Sequence, residues 1–157
     1  MGRDVAPGMI EPGRPGRSRA AGGDRRRNRA ISSPMLSSDP DATLVRLRAA
    51  CLALPETSEK ISHGIPAFQV AGKMFAYFRH DHHGDGRTSL CVKTGGRDEQ
   101  EMLMEADPDT YSWPAYIGPS GWIGVSLADG VVDWALVEGR IRFSWRLAAP
   151  RRLDGAV

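Results

Sequence analysis

Apolar side chains recur at helical spacing in two stretches of the chain. In the first, steps of three and four residues predict one face of a helix that ends at Pro55, with Asp39 or Asp41 as its cap. The members of this set are Leu44, Leu47, Cys51 and Leu54. In the second, the same spacing predicts a helix that begins after Asp133 and ends before Pro150. Its members are Trp134, Val137, Ile141, Trp145 and Ala148.

Between these helices the pattern changes to short segments that Gly and Pro interrupt. Apolar and polar residues alternate there, or form short apolar runs, and such segments are typical of strands. The predicted strands are 67–70, 73–79, 88–93 and 122–127. Ala71 and Gly72 predict a tight hairpin turn, and 80–87 predicts a longer polar connection.

A further helix is expected after Asp98, because Glu101 follows three residues later in the arrangement of a capping box. Asp107 and Pro108 end it. The predicted order is therefore helix, strands, helix, strand, helix. That order indicates an α+β domain whose antiparallel sheet is flanked by helices.

The composition fits one globular domain, but the charge is unevenly distributed. The chain has 157 residues, of which 41% are hydrophobic and 25% are charged. Residues 1–34 hold eight arginines and three acidic residues, a net charge of +5. Residues 35–157 hold 13 basic and 16 acidic residues, a net charge of −3. A nucleic-acid-binding domain normally has a basic balance, so the charge of the body argues against that class.

The segment 1–34 also differs from the rest in its six glycines, four prolines and scarcity of apolar residues. We expect it to be disordered, as a plain extension or a nucleic-acid-binding tail, or to lie upstream of a true start at Met35. We expect a single domain over 36–153.

Cys51 and Cys91 are too few for a disulfide scaffold and are expected to be reduced core residues. The chain shows no secretory signal and no apolar run of membrane length, so the cytoplasm is the expected location and no membrane partner is expected.

Five segments of this body resemble the MmcQ/YjbR-like proteins, which are small bacterial α+β domains. They are LPE at 54–56, SHGIPAFQVAGK at 62–73, HHGDGR at 82–87, PAYIGPSGWIGV at 114–125 and SWRLAAPRRL at 144–153. Trp145 departs from the pattern, since relatives usually have Tyr there. The resemblance covers most of 36–153 and implies an α+β fold. It also implies DNA binding, a label that rests on a likeness to double-wing folds, and it brings no catalytic residues.

A DNA-binding role would use basic side chains of the hairpins and of the last helix on phosphates. The candidates are Lys73, Arg79, Arg87, Lys93, Arg142, Arg146 and Arg151. Arg142 and Arg146 are four residues apart and share a helix face. The same cations could instead complement the dipole at the C-terminal end of that helix.

The alternative is a small-molecule or protein-binding domain that uses the aromatic loop 111–122 and His63. The candidate cleft residues are His63, Trp113, Tyr116 and Trp122. A third, weaker possibility is a metal site at a His-rich loop, although the same residues suit a solvated turn. Its candidates are His80, His82, His83 and Asp85. Phosphate-loop, dinucleotide and nucleophile motifs are all missing, so we expect neither a cofactor nor enzymatic activity.

Overall fold

The first helix, α1, spans Pro40–Leu52 and begins where Asp39 caps it, since the Asp39 carboxylate accepts a hydrogen bond from the Asp41 N–H. This is the start of what the computed structural model describes, which is residues 39–128 and 130–157. The predictions made for 1–34 lie outside these residues. The compact unit runs from Asp39 to Val157.

In the described residues, six strands follow α1 in one antiparallel sheet; a second helix lies between β4 and β5, and a third follows β6. The strands are β1 Thr57–Ser62, β2 Ile65–Val70, β3 Lys73–His80, β4 Thr88–Lys93, β5 Tyr111–Ser112 and β6 Trp122–Ser126. The later helices are α2 Arg97–Ala106 and α3 Trp134–Ala148. The strand order across the sheet is β1-β2-β3-β4-β6-β5. The predicted α+β class with an antiparallel sheet is therefore confirmed.

The hairpin between β2 and β3 is closed by the predicted two-residue turn. Ala71 and Gly72 have φ values of 48° and 87°, the left-handed pair that matches the twist of neighbouring strands. The pairing between these strands shifts between Phe68 and Gln69, where a bulge interrupts the register. The turn could be predicted from the sequence, whereas the bulge could not.

The hydrophobic core lies between one face of the sheet and the helices α1 and α3. The apolar stripes predicted on both helices are confirmed by burial. From α1 and α3 the buried side chains are Leu47, Cys51, Val137, Ile141, Trp145 and Ala148. Trp145 also donates a hydrogen bond from its indole Nε1 to the carbonyl of Pro55, 3.1 Å away, and thereby ties α3 to the end of the α1 region.

A buried hydroxyl on α3 connects two strands where their own ladder ends. Ser144 Oγ donates to the Phe75 carbonyl at 2.6 Å and accepts from the Lys93 N–H at 2.8 Å. The β3–β4 register begins with Ala76 opposite Val92, so this hydroxyl takes the place of the next ladder bond. It fixes the backbone of Lys93 at the end of β4.

One predicted helix cap is wrong, and two strands were missing from the prediction. Asp98 does not cap α2; the cap position is Gly96 and the helix begins at Arg97. Glu101 forms an ion pair with Arg97 instead of closing a capping box, and Glu99 accepts from the Gly95 N–H at 2.6 Å.

Strands β1 and β5 were not predicted, because β1 is a mainly polar edge strand and β5 has two residues.

Both cysteines are free and buried, as predicted. Burial raises the pKa of Cys51 to about 12 and that of Cys91 to about 11, so both are thiols at neutral pH. In the described part of the chain, none of the helices is long and apolar enough to cross a bilayer.

Replacing Ser144 with Ala should lower the free energy of unfolding by about 1–3 kcal/mol, because a buried N–H and a carbonyl lose their shared partner. Urea unfolding of the full chain measures this. Ser120→Ala, at an exposed position, is the control and should change stability by less than about 0.5 kcal/mol. Equal stability of the two variants would contradict the structural role given to Ser144.

Candidate functional site

The sheet has one face that the helices do not cover, which we call the open face. Side chains alternate between the faces of a strand, and cross-strand neighbours share a face. Tyr77, Cys91 and Gly124 form one cross-strand row, and they alternate with the core row of Ala76, Val92 and Ile123. By this register the open face carries Ser58, Lys60, Ser62, Ile65, Ala67, Gln69, Met74, Tyr77, Arg79, Ser89, Cys91, Lys93, Ser112, Trp122, Gly124 and Ser126.

The open face is positively charged. Its strand positions include Lys60, Arg79 and Lys93 but no Asp or Glu. The acidic residue of β1, Glu59, lies on the helix-covered side, where it pairs with Arg48 on α1 at 2.5 Å. The net negative charge of residues 35–157 is therefore carried elsewhere on the domain.

Two aromatic rings adjoin these cations. The Tyr77 and Trp122 ring centroids are 5.0 Å apart at an angle of 51°. Lys93 Nζ lies 5.4 Å from the centroid of the Trp122 ring, within the range of a cation–π contact. Below them, burial raises the pKa of the Cys91 thiol while the nearby charge of Arg79 opposes that shift.

The loop 113–121 is fixed against this part of the sheet by three sets of hydrogen bonds. The buried Gln100 of α2 donates from Nε2 to the carbonyls of Gly118 at 2.8 Å and Trp122 at 2.7 Å. The N–H and the hydroxyl of Thr94 both donate to the carbonyl of Gly121 at 2.8 Å. Arg79 reaches across the open face and donates from Nη2 to the carbonyl of Ala115 at 3.2 Å.

The loop adds further aromatic residues to the site, and α2 adds one more cation. Trp113 is packed so tightly on Gly118 that a Cβ there would lie 2.2 Å from the indole, and the Arg97 guanidinium lies 5.2 Å from its ring centroid. Glu101 partly compensates the charge of Arg97. We call the resulting surface the aromatic–basic patch, and its members are Tyr77, Arg79, Lys93, Arg97, Trp113, Tyr116 and Trp122.

The basic residues predicted to contact DNA do not form one surface. Arg79 and Lys93 lie in the aromatic–basic patch. Lys73 follows the β2–β3 turn, and Arg87 is exposed just before β4. The remaining candidates are exposed on α3 or just after it, on the helix layer: Arg142, Arg146 and Arg151. Of these, Arg146 donates from Nε to the Val157 carbonyl at 3.1 Å. The predicted set is thus divided between opposite sides of the sheet.

The sequence prediction also missed Tyr77 and Lys60. Tyr77 alternates with buried Ala76 and Phe78, so the strand pattern contained the signal that it faces away from the core. Lys60 lies on β1, which the alternation did not reveal.

The structure does not bring His63 together with the aromatic loop. His63 lies in the turn between β1 and β2, at the other end of the strands from Trp122, and the strands β3 and β4 lie between β2 and the strand β6 that carries Trp122. Trp113, Tyr116 and Trp122 do share one region.

A groove of about 440 Å³ lies between α1 and α3, and none of the candidate cleft residues lines it. Its lining is Arg46, Ala49, Ala50, Ala53, Leu54, Glu138, Ile141 and Arg142.

The His-rich loop is organised as a turn. His80 Nδ1 and Thr88 Oγ1 share a hydrogen bond of 2.8 Å, and the Asp85 carboxylate accepts from the Arg87 N–H at 2.9 Å. His82 and His83 lie in the short 3₁₀ turn His82–Gly84. Among the residues that the structure describes, no group of three or more His, Cys, Asp or Glu side chains is placed to hold a metal ion.

These features define a small α+β domain with a helix layer on one side of its sheet and a basic, aromatic surface on the other. A family model described as YjbR matches residues 52–147, so the chain belongs to the YjbR family. This confirms the resemblance noted in the sequence. None of the curated proteins matches the chain.

A solved structure shares the fold. It is the crystal structure of Deinococcus radiodurans protein DR2400, described with the domain DUF419. It aligns with a TM-score of 0.57 and 24% sequence identity over 76% of this chain and 85% of that chain. At this identity the likeness supports the fold alone.

Replacing Gln100 with Met keeps the size of the side chain but removes both hydrogen-bond donors to the loop. We expect a loss of about 1–3 kcal/mol in the free energy of unfolding and faster amide hydrogen exchange in 113–121. Glu105→Gln, an exposed change on the same helix, should alter neither quantity. Unchanged exchange in the Gln100→Met variant would show that the loop is held by other contacts.

Proposed function

We propose that this domain binds DNA through the aromatic–basic patch and the adjoining open face, and that it does so without catalysing a reaction. The observation that carries the proposal is the separation of charge on the sheet. The open-face strand positions include Lys60, Arg79 and Lys93 and no carboxylate, although the body as a whole is acidic. A local positive field, rather than net charge, attracts a polyanion.

The aromatic content of the patch supports the same ligand class. Nucleic acids present phosphates to cations and base or sugar surfaces to aromatic rings, so a surface with both features is typical of their binding sites. Trp113 is 42% exposed and lies beside Arg97, and the half-buried Tyr77 contacts the ring of Trp122, which is itself buried next to Lys93. The loop 113–121, which borders the patch, contains no charged residue of either sign. The loop itself therefore adds no repulsion toward a polyanion.

The basic residues of α3 are weaker candidates for this role. Arg142 lines a groove that contains Arg46 and also the carboxylate of Glu138, whereas the open-face strand positions include no carboxylate. In addition, α3 offers no exposed aromatic ring among the large exposed side chains of the described residues. The open face therefore combines more of the features that DNA binding requires.

The proposal is tested with two double variants of the full chain that lose the same charge on opposite sides of the domain. Lys60→Gln with Lys93→Gln should weaken DNA binding about tenfold at low salt. It should also make the slope of log affinity against log salt less steep by about 2, because each phosphate contact contributes about 0.9. Fluorescence anisotropy with labelled DNA at roughly 50 and 200 mM salt measures both quantities.

Arg142→Gln with Arg146→Gln is the matched control and should change the affinity by less than about twofold. Residues 1–34 are the same in every protein, so their charge cannot produce a difference between the variants. A larger loss in the α3 variant, equal losses in the two variants, or no DNA binding by the wild type would each overturn the proposal.

A further inference from the structure

The connection between β4 and α2, residues 94–96, has a cation of the aromatic–basic patch at each end. Lys93 is the last residue of β4, and Arg97 is the first residue of α2. The connection contains two glycines, and Gly96 has a φ of 144°, which glycine adopts freely and other residues rarely do. The relative position of the two cations therefore depends on the contacts that hold this short segment.

Side chains on two sides hold the connection. On the side of the loop 113–121, the N–H and the hydroxyl of Thr94 donate to the carbonyl of Gly121. On the side of the helices, the Gly95 N–H donates to Glu99 Oε1 at 2.6 Å. The second carboxylate oxygen of Glu99 accepts from Nη1 of Arg140 on α3 at 2.9 Å. Glu99, in the first turn of α2, thus links the connection to α3.

A second residue of α3 holds the same part of the chain. Ser144 lies four residues after Arg140, so the two side chains share a face of the helix. Ser144 accepts from the Lys93 N–H, while Arg140 holds the carboxylate that accepts from the Gly95 N–H. The backbone is therefore held from α3 on both sides of Thr94.

The ion pair between Glu99 and Arg140 is shielded from solvent. The two side chains are 22% and 15% exposed, whereas both side chains of the pair Arg97–Glu101 are more than half exposed. Burial opposes ionisation of Glu99, but the Gly95 N–H and the Arg140 guanidinium hold the pKa of its carboxyl below the ordinary value. Exposed pairs do little to hold a geometry, and shielded, hydrogen-bonded pairs do more.

We infer that Glu99 is a positioning residue of the proposed DNA site. Held by Arg140, it fixes the connection 94–96 and thereby the relative positions of the two cations at its ends. This inference rests on the proposed DNA binding and names a residue that supports it without contacting DNA. A carboxylate near the site repels a polyanion, so the positioning effect and the electrostatic effect of Glu99 have opposite signs.

This difference in sign makes Glu99→Ala the direct test. The variant should bind labelled DNA about threefold more weakly than the wild type at roughly 50 mM salt, although the loss of a negative charge alone would strengthen binding. Fluorescence anisotropy with the full chain measures the affinity. Glu105→Ala removes an exposed carboxylate from the same helix and is the matched control. It should bind DNA as tightly as the wild type or slightly more tightly.

Variants of Arg140 test whether it acts through Glu99. Arg140→Met should also lose about threefold in affinity, and Arg140→Lys, which keeps a cation for the carboxylate, should remain within about twofold of the wild type. The double variant Glu99→Ala with Arg140→Met should lose no more than either single variant, because the two side chains act through one contact. Arg142→Met, the same loss of charge at an exposed position of α3, should have little effect.

Thermal unfolding checks that each variant is folded at the temperature of the binding measurement. Unchanged or tighter DNA binding by Glu99→Ala, or additive losses in the double variant, would overturn the inference. If Glu99→Ala does not fold, equal affinities of Arg140→Met and Arg140→Lys would overturn it instead. If Lys60→Gln with Lys93→Gln still weakened binding in either case, the proposed DNA binding would stand without this positioning role. Failure of the wild type to bind DNA would overturn both.

Discussion

The side-chain amide of Gln100 holds the candidate site together. It is 2% exposed, and its two N–H groups donate to the carbonyls of Gly118 and Trp122. One residue of α2 is thereby bonded to the loop 113–121 and to the first residue of β6. An amide buried in this way is costly unless it is paired, and both of its donors are paired here. The Arg97 guanidinium over the Trp113 ring is a second contact from α2 to this loop.

The two faces of the sheet differ in what they contact. One face packs on α1 and α3, and the buried hydroxyl of Ser144 joins β3 to β4 from that side. The same hydrogen bond fixes the Lys93 backbone, whose side chain lies on the opposite face beside Trp122. Packing on the helix side therefore positions a cation on the open side. The alternation of side chains along a strand explains how an acidic domain can present a basic surface. Glu59 and Lys60 are neighbours in sequence but lie on opposite faces of the sheet.

Much of the fold could be predicted from local patterns. The stripe of Val137, Ile141 and Trp145, the cap at Asp133 and the turn at Ala71 each depend on a few neighbouring residues. The second helix cap could not be predicted, because Asp98 with Glu101 matches a capping box while the observed cap position, Gly96, lies two residues earlier.

The candidate site was predicted only in part, because it depends on contacts between distant segments. Gln100 is a polar residue within a helix, and its partners lie 18 and 22 residues away. The open face depends on the strand order and on the bulge beside Phe68, and neither can be read from spacing. Net charge does not tell on which face a charged side chain lies, and the open-face strand positions include three cations and no carboxylate. Local charge could be assigned only once the register was known.

The most direct test of the account is to map where DNA contacts the full chain. Assigned amide nitrogen–proton correlation spectra, recorded during titration with a DNA oligonucleotide, report this residue by residue. The account predicts shifts concentrated at 77–79, 93–97 and 113–122, with α3 around Arg142 unaffected. Shifts concentrated at 140–151, with 113–122 unchanged, would contradict it.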